Sequence, residues 1–259
     1  MTTADGPAPL RARRSSATAS EIADGIFVVE HAFTNCYLII DGAAVTLVDA
    51  CFPATWDAIE QCLAAIGLDT TAVAALVLTH GHFDHVGSAH AAQTRYGIPV
   101  WVHEDDHWLA AHPYRYRPQR NRLLYPLAHP GSVPVLGRMV AAGALRVKGV
   151  DAAITYRSGT LAVPGSPVAI PTPGHTPGHC SLHLPDRDVL ISGDALVTLD
   201  PYTGRRGPRI VAPAATADVQ ENRRSLRRLA ELDASLLLPG HGTPWRDGTR
   251  AAVAEALRS

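Results

Sequence analysis

The chain has 259 residues, long enough to bury roughly three quarters of its unfolded surface as one domain. A composition of 46% hydrophobic and 18% charged residues excludes a disordered, collagen-like or disulfide-framework protein. With 23 Lys and Arg against 24 Asp and Glu the net charge is −1, so no global field draws in nucleic acid or an anionic membrane.

Residues 1–20, rich in Ala, Pro, Ser, Thr and Arg, read as a flexible leader before a single domain over 21–259. Arg11, Arg13 and Arg14 are followed by Ser15 to Ser20, where an export signal needs an apolar stretch, and no run of 18 apolar residues occurs. A cytoplasmic location is therefore expected. Short apolar runs at 26–29, 36–40 and 45–48, broken by Asn35 and by Asp41-Gly42, predict an antiparallel meander. Trp56, Ile59, Leu63 and Ile66 recur at helical spacing over 54–66 and stop at Gly67. A buried strand follows at 75–78, a helix at 88–96 closed by Gly97, and a strand at 99–102. Residues 104–150, rich in Pro, Arg, His and Tyr, read as an insertion of helices and loops without a strand. Strands resume near 161–163, 168–170, 180–184, 188–192 and 235–238. A helix over 218–232 turns Val219, Leu226, Leu229 and Leu232 inward, with Arg223, Arg224, Arg227 and Arg228 mostly toward water. The four cysteines form no C-x-x-C pair and are expected to be buried thiols.

Of the 13 histidines, three stand in Thr79-His80-Gly81-His82-Phe83-Asp84-His85, directly after the strand 75–78. His80 and His82 can point one way from an extended loop while Asp84 and His85 turn to another side, a geometry that suits two neighbouring ions better than one. His175 follows Pro173-Gly174, Asp194 follows Gly193, and His241 follows Pro239-Gly240, each where the chain leaves an apolar run. A glycine there permits unusual φ and lets the backbone approach an ion. If these strands exit at one rim, five histidines and two aspartates converge. Imidazole and carboxylate donors suit zinc, with manganese or iron possible.

In order and approximate spacing, His80, His82, Asp84, His85, His175, Asp194 and His241 resemble the ligand set of the metallo-β-lactamase superfamily, and Asp49 matches its conserved supporting aspartate. The resemblance runs from about residue 22 to about 246. It implies an α/β (α+β) fold, a four-layer αββα sandwich of two mixed sheets flanked by helices with the metals at one rim. It also implies that His80, His82 and His175 hold one ion, that Asp84, His85 and His241 hold the second, and that Asp194 bridges them. Two ions sharing a hydroxide lower the pKa of water from about 15.7 toward neutrality, giving a nucleophile for a small ester, lactone or thioester. Asp84 is expected as the catalytic residue, orienting that hydroxide and passing a proton to the leaving atom. Asp49, and with it His179, is expected to support the ligands by hydrogen bonds.

Departures from the family's branches narrow the activity. Lactonases place a tyrosine shortly after the bridging aspartate, whereas Ala195-Leu196-Val197 follows Asp194 and the nearest tyrosine is Tyr202. Lys148, the only lysine, lies away from where glyoxalase II enzymes use one. Zinc β-lactamases with this histidine set usually lack the bridging carboxylate, although a β-lactamase-like amide hydrolase stays open. So does an oxidoreductase like the persulfide dioxygenases, with a single iron. The expected partner is a small-molecule substrate; nucleic acid and membrane are not expected, and self-association into a homo-oligomer is left open. Around the rim, Trp108, Tyr114, Tyr116 and Tyr125 are candidates for an apolar wall, and Arg115, Arg117, Arg120 and Arg122 for anion contacts, unless the insertion is only a helical cap with its arginines in water. Tyr202 and Arg205, on the loop after Asp194, are further candidates for substrate contact.

Overall fold

Residue alternation sorts the strands into layers, and the layers bring the donor loops together. The computed structural model describes residues 17–121 and 125–259. One sheet runs in chain order through β1 (Thr18–Ala23), β2 (Ile26–His31), β3 (Thr34–Asp41), β4 (Ala44–Val48), β5 (Val73–Val77), β6 (Val100–His103) and β7 (Ile154–Tyr156). Pairing is antiparallel from β1 to β4 and parallel from β4 to β7. The second sheet is built from β8 (Gly159–Thr160), β9 (Val168–Pro171), β10 (Cys180–Leu184), β11 (Val189–Gly193) and β14 (Leu236–Pro239). Its spatial order is β14-β11-β10-β9-β8, and only β14 and β11 pair in parallel. Both sheets are mixed, as expected. Between the last two strands the chain adds a separate ribbon, β12 (Val197–Leu199) with β13 (Arg206–Arg209).

Because successive side chains of a strand point to opposite faces, each strand feeds two cores. In β3, Cys36 and Leu38 face one way and pack with Leu47, Leu76 and the helices α1 (Trp56–Ala65) and α3 (Ala89–Tyr96) through Ile59, Leu63 and Ala92. Tyr37 and Ile39 face the other way, meeting Val48 and Val77 and, from the second sheet, Leu182, Val189, Ile191 and Leu238. The far face of the second sheet presents Leu190 and Leu237 to Leu226 and Leu229 of α7 (Val219–Leu229) and to Ala252 and Val253 of α8 (Thr249–Arg258). The order helix, sheet, sheet, helix is the expected αββα sandwich. Each fully buried leucine or valine in it contributes about 1.5–3 kcal/mol.

The stretch 104–150 holds no strand among its described residues. It contains α4 (His107–Ala111), α5 (Tyr125–Ala128) and α6 (Val133–Ala141), with Val135 and Met139 buried against the first outer core. All four cysteines are buried and unpaired with one another. No helix of the described residues is long and apolar enough to cross a membrane.

Two expectations need correction. The leader does not reach residue 20: Thr18–Ser20 belong to β1, which pairs Thr18 with Glu30, while 1–16 lie outside the described residues. β1 is an edge strand whose first four side chains are exposed, so its polarity hides it in the composition. The strand near 161–163 is displaced to β8. Leu161 and Val163 are buried between the sheets, but they enter a turn in which the Ser166 N–H donates to the Val163 carbonyl. On α7 the arginines do face mostly toward water, with Arg223 half-buried: its guanidinium donates twice to the Leu257 carbonyl at 2.9 and 3.1 Å and ties α7 to the end of α8.

Candidate metal centre

Strand direction gathers the donors. β4 and β5 are parallel neighbours with Val48 opposite Val77, so Asp49 and Thr79-His80 leave the first sheet at one edge. β11 and β14 are also parallel, with Gly193 opposite Pro239, so Asp194 and His241 leave the second sheet together. β9, two strands over from β11, runs in the same sense and delivers His175 to the same rim, where antiparallel β10 begins after His179. The helical turn α2 (Phe83–Val86) then turns Asp84 and His85 back toward that rim.

The glycines before the donors serve close packing, and not each of them needs an unusual φ. Gly174 has φ +130°, and a Cβ there would lie 2.2 Å from the Asn222 amide nitrogen. Gly240 needs no unusual φ; a Cβ there would lie 2.1 Å from Asp194 Oδ1 and 2.8 Å from His85 Cε1.

All seven expected donors are brought together and buried. Three sets each have their nitrogen and oxygen donor atoms within 4.8 Å of one another: His80, His82 and His175; His80, His85 and Asp194; and Asp84, His85 and His241. Asp194 sits centrally. Its Oδ1 is 3.4 Å from His85 Nε2, and its Oδ2 is 3.4 Å from His175 Nε2 and 3.3 Å from His241 Nε2. Asp84 Oδ2 lies 3.4 Å from His241 Nε2. The Nε2 atoms of His80, His85 and His241 and Asp194 Oδ1 are buried with no hydrogen-bond partner. Orphaned polar atoms at such density are costly unless something else satisfies them. A divalent cation fits that demand, and the donor set of imidazoles and carboxylates suits it chemically.

Supporting residues fix the rings. The Asp49 carboxylate accepts from the Thr79 N–H, the Thr79 hydroxyl and His85 Nδ1, each at 2.8 Å, which aims His85 Nε2 into the cluster. Thr79 Oγ1 in turn is 3.0 Å from His80 Nδ1. His179 lies beside the donors rather than among them: its Nε2 accepts from the backbone N–H groups of Asp194 and Ala195 at 3.0 and 3.2 Å, and its Nδ1 meets Thr172 Oγ1 at 2.8 Å.

Charge within the cluster follows from the same contacts. Burial disfavours a charge on His241, but Asp194 and Asp84 outweigh it and push its pKa up to about 10. Burial likewise opposes charge on His85, yet Asp194 and Asp49 raise it well above the usual range. Burial, reinforced by the neighbouring histidines, holds His80 and His179 well below that range and brings His175 down to about 3. Burial would raise Asp194, but His241 and His85 hold it well below the carboxylate range. Positive charge is thus favoured beside Asp84 and Asp194.

Several positioning residues were not anticipated. Asp106, buried in the turn that follows β6, accepts from the Gly81 N–H (2.8 Å), the Thr176 hydroxyl (2.6 Å) and the Gly178 N–H (2.8 Å), and so clips the His80–His85 loop to the His175 loop. From β3, the Tyr37 hydroxyl and the Asn35 amide both donate to the Pro239 carbonyl, and Asn35 also reaches the Gly242 carbonyl, which frames His241.

The expected substrate contacts divide. Tyr116 and Tyr202 meet hydroxyl to hydroxyl at 3.0 Å above the donors, and the Tyr116 ring centres 4.2 Å from His82. Trp108, Arg115, Arg117 and Tyr116 line a cavity of about 290 Å³ that opens beside His82 and His175. Tyr114 is not brought there. Its hydroxyl bridges Ala144 and Val147, and its ring stacks on Phe83. Arg205 is exposed and lines a different concavity with Tyr125, His129 and Arg209, because the β12–β13 ribbon carries it outward. Arg122 lies outside the described residues.

Similarity to other proteins agrees with this arrangement. The sequence profile of the Metallo-beta-lactamase superfamily matches residues 30–241. A Bacillus subtilis protein named probable metallo-hydrolase YflN is 29% identical over 91% of this chain and 90% of its own length. Among solved structures, the metallo-beta-lactamase family protein TTHA1429 from Thermus thermophilus is 26% identical, with a TM-score of 0.64 over 90% of this chain and 78% of that one. TTHA1623, solved in a di-iron-bound form, is 26% identical with a TM-score of 0.58 over 84% and 92%. The chain therefore belongs to the metallo-beta-lactamase superfamily, as an enzyme of the metallo-hydrolase kind.

Proposed function

We propose that the protein is a dinuclear zinc hydrolase that cleaves a small ester, lactone or thioester. The observation that carries this reading is the Asp194 carboxylate, which has His85 against Oδ1 and both His175 and His241, one from each donor set, against Oδ2, so that it lies between the two sets. His80, His82 and His175 would hold one cation and Asp84, His85 and His241 the other. Two such cations supply Lewis acidity and a water acidic enough to be deprotonated near neutral pH. Asp84, whose pKa burial would raise but the neighbouring His241 and His85 lower, is ionised at that pH. One of its oxygens would serve a cation, leaving the other to take up a proton and hand it to the leaving atom. Asp49 and His179 hold His85 and the Asp194 loop in place, and the Tyr116–Tyr202 pair limits the approach of bulk water.

Because TTHA1623 is a di-iron form, metal identity belongs in the test. Protein purified without added metal should carry about two zinc per chain, and chelation should abolish ester or lactone cleavage that zinc then restores. One iron per chain with thiol-dependent oxygen uptake would overturn the dinuclear hydrolase.

A further inference from the structure

The cavity beside His82 and His175 is divided by chemistry. Leu109, Pro177, Ala217 and the indole of Trp108 give it apolar walls, while Arg115 and Arg117 stand exposed at its edge. Trp108 is 55% exposed, although burying an indole is strongly favourable, and it is held in place by stacking on His112 with ring centres 4.8 Å apart. Among the described residues the arginines in ion pairs are Arg157, Arg224 and Arg228, so no carboxylate contact neutralises Arg115 or Arg117. Two acids also border the cavity. Asp106 is buried and already accepts three hydrogen bonds, and Asp105 lies 3.7 Å from His103 Nδ1. The edge is left with two guanidinium groups against one exposed carboxylate. Arginine forks recognise carboxylate, sulfonate and phosphate oxygens in pairs.

We propose that this cavity takes the non-reacting part of the substrate, and that this part is an apolar chain or ring ending in an anionic group. The apolar body lies against Trp108, Leu109, Pro177 and Ala217, and the anion meets Arg115 and Arg117. This inference rests on reading the His and Asp cluster as the reacting centre. At about 290 Å³ the cavity is near the lower end of small-molecule sites, which suits a single ring or a short chain.

The test is calorimetric binding of 4-phenylbutane-1-sulfonate and its neutral counterpart 4-phenylbutan-1-ol to the metal-loaded protein. The sulfonate is chosen because it is a weaker zinc ligand than a carboxylate. Binding about tenfold tighter for the sulfonate is expected, in line with two exposed charge contacts. The double variant Arg115→Gln/Arg117→Gln, at exposed positions the fold does not need, should bring the two affinities together. Ala217→Phe should weaken both by filling the cavity. Equal binding of the two probes, a preference unchanged in the double variant, or sulfonate affinity unchanged in Ala217→Phe would each overturn the inference. Turnover of 4-nitrophenyl acetate by the same preparation is read separately: its absence counts against the hydrolase, whereas the probe preference reports on the cavity alone.

Discussion

Asp49 occupies a left-handed backbone position, φ +59°, which costs a non-glycine residue of order 1 kcal/mol. The position is held because its carboxylate meets three donors at 2.8 Å, among them His85 Nδ1. Asp49→Asn turns an amide N–H toward at least one of those donors, so His85 loses its aim. Cation affinity should fall about 10- to 100-fold, read by competition with a chelator; an unchanged affinity would remove Asp49 from the site. The histidines also set a pH optimum for the metal-free fold. His175, His80 and His179 have depressed pKa values, so the unfolded chain binds protons that the fold refuses, and their stabilisation is lost as pH falls below about 6.5. His85 and His241 are raised, and their stabilisation is complete below about 6.5 and fades as pH rises toward about 10. Urea midpoints of chelated protein should therefore be highest near pH 6.5 and lower at both pH 5 and pH 9; a steady rise from 5 to 9 would refute the assignment. At this scale the donors were legible because four of them lie within six positions of one loop. Asp106 was not, because its three partners are 25, 70 and 72 residues away and nothing in Glu104-Asp105-Asp106 marks the third acid as the buried one.

The recurring element is an apolar strand that ends in a glycine and then a donor. Its logic is steric at Gly240, where a methyl group would collide with Asp194 and His85, neither of which has room to retreat. Gly240→Ala should cost about 1–3 kcal/mol of stability and deplete bound metal, measured by urea unfolding and metal analysis. Full metal content in that variant would contradict the close approach. Strands with continuous apolar runs, such as β11 and β14, were legible from sequence because both of their faces are buried. Elements with little apolar content were not. β13 reads Arg-Gly-Pro-Arg and is recognised only through its pairing with β12, whose hairpin then carries Arg205 away from the donors. The run at 161–163 misled for the opposite reason, since Leu161 and Val163 are apolar for burial rather than for strand pairing.

On the scale of the molecule, the donors come from both sheets, so a bound cation ties the layers as well as the loops. Ligand binding to the native state alone stabilises by about 2.7 kcal/mol at a hundredfold excess over Kd. Chelation should lower Tm by roughly 5–10 °C in a chain of this size, followed by thermal unfolding with and without a chelator. A Tm that does not move would mean the cluster holds no cation in the folded protein. The four layers were legible through the resemblance carried by the donor motif; the strands themselves, with apolar runs at Cys36–Ile40 in β3, Val189–Ile191 in β11 and Leu236–Leu238 in β14, announced buried strands but not which sheet faces which. What covers the outer side of the second sheet was only half legible: α7 was expected, while α8, with its small alanine-rich buried face, was not.

The division of donors between the sheets also has a consequence in time. His80, His82, Asp84 and His85 precede Tyr156, the end of the first sheet, whereas His175, Asp194 and His241 come with the second. His241 follows His85 by 156 residues, which a ribosome elongating at about 5–20 residues per second takes about 8 to 30 seconds to add. Throughout that interval the nascent chain carries an incomplete set of donors, so tight metal capture by the full cluster waits on nearly finished synthesis.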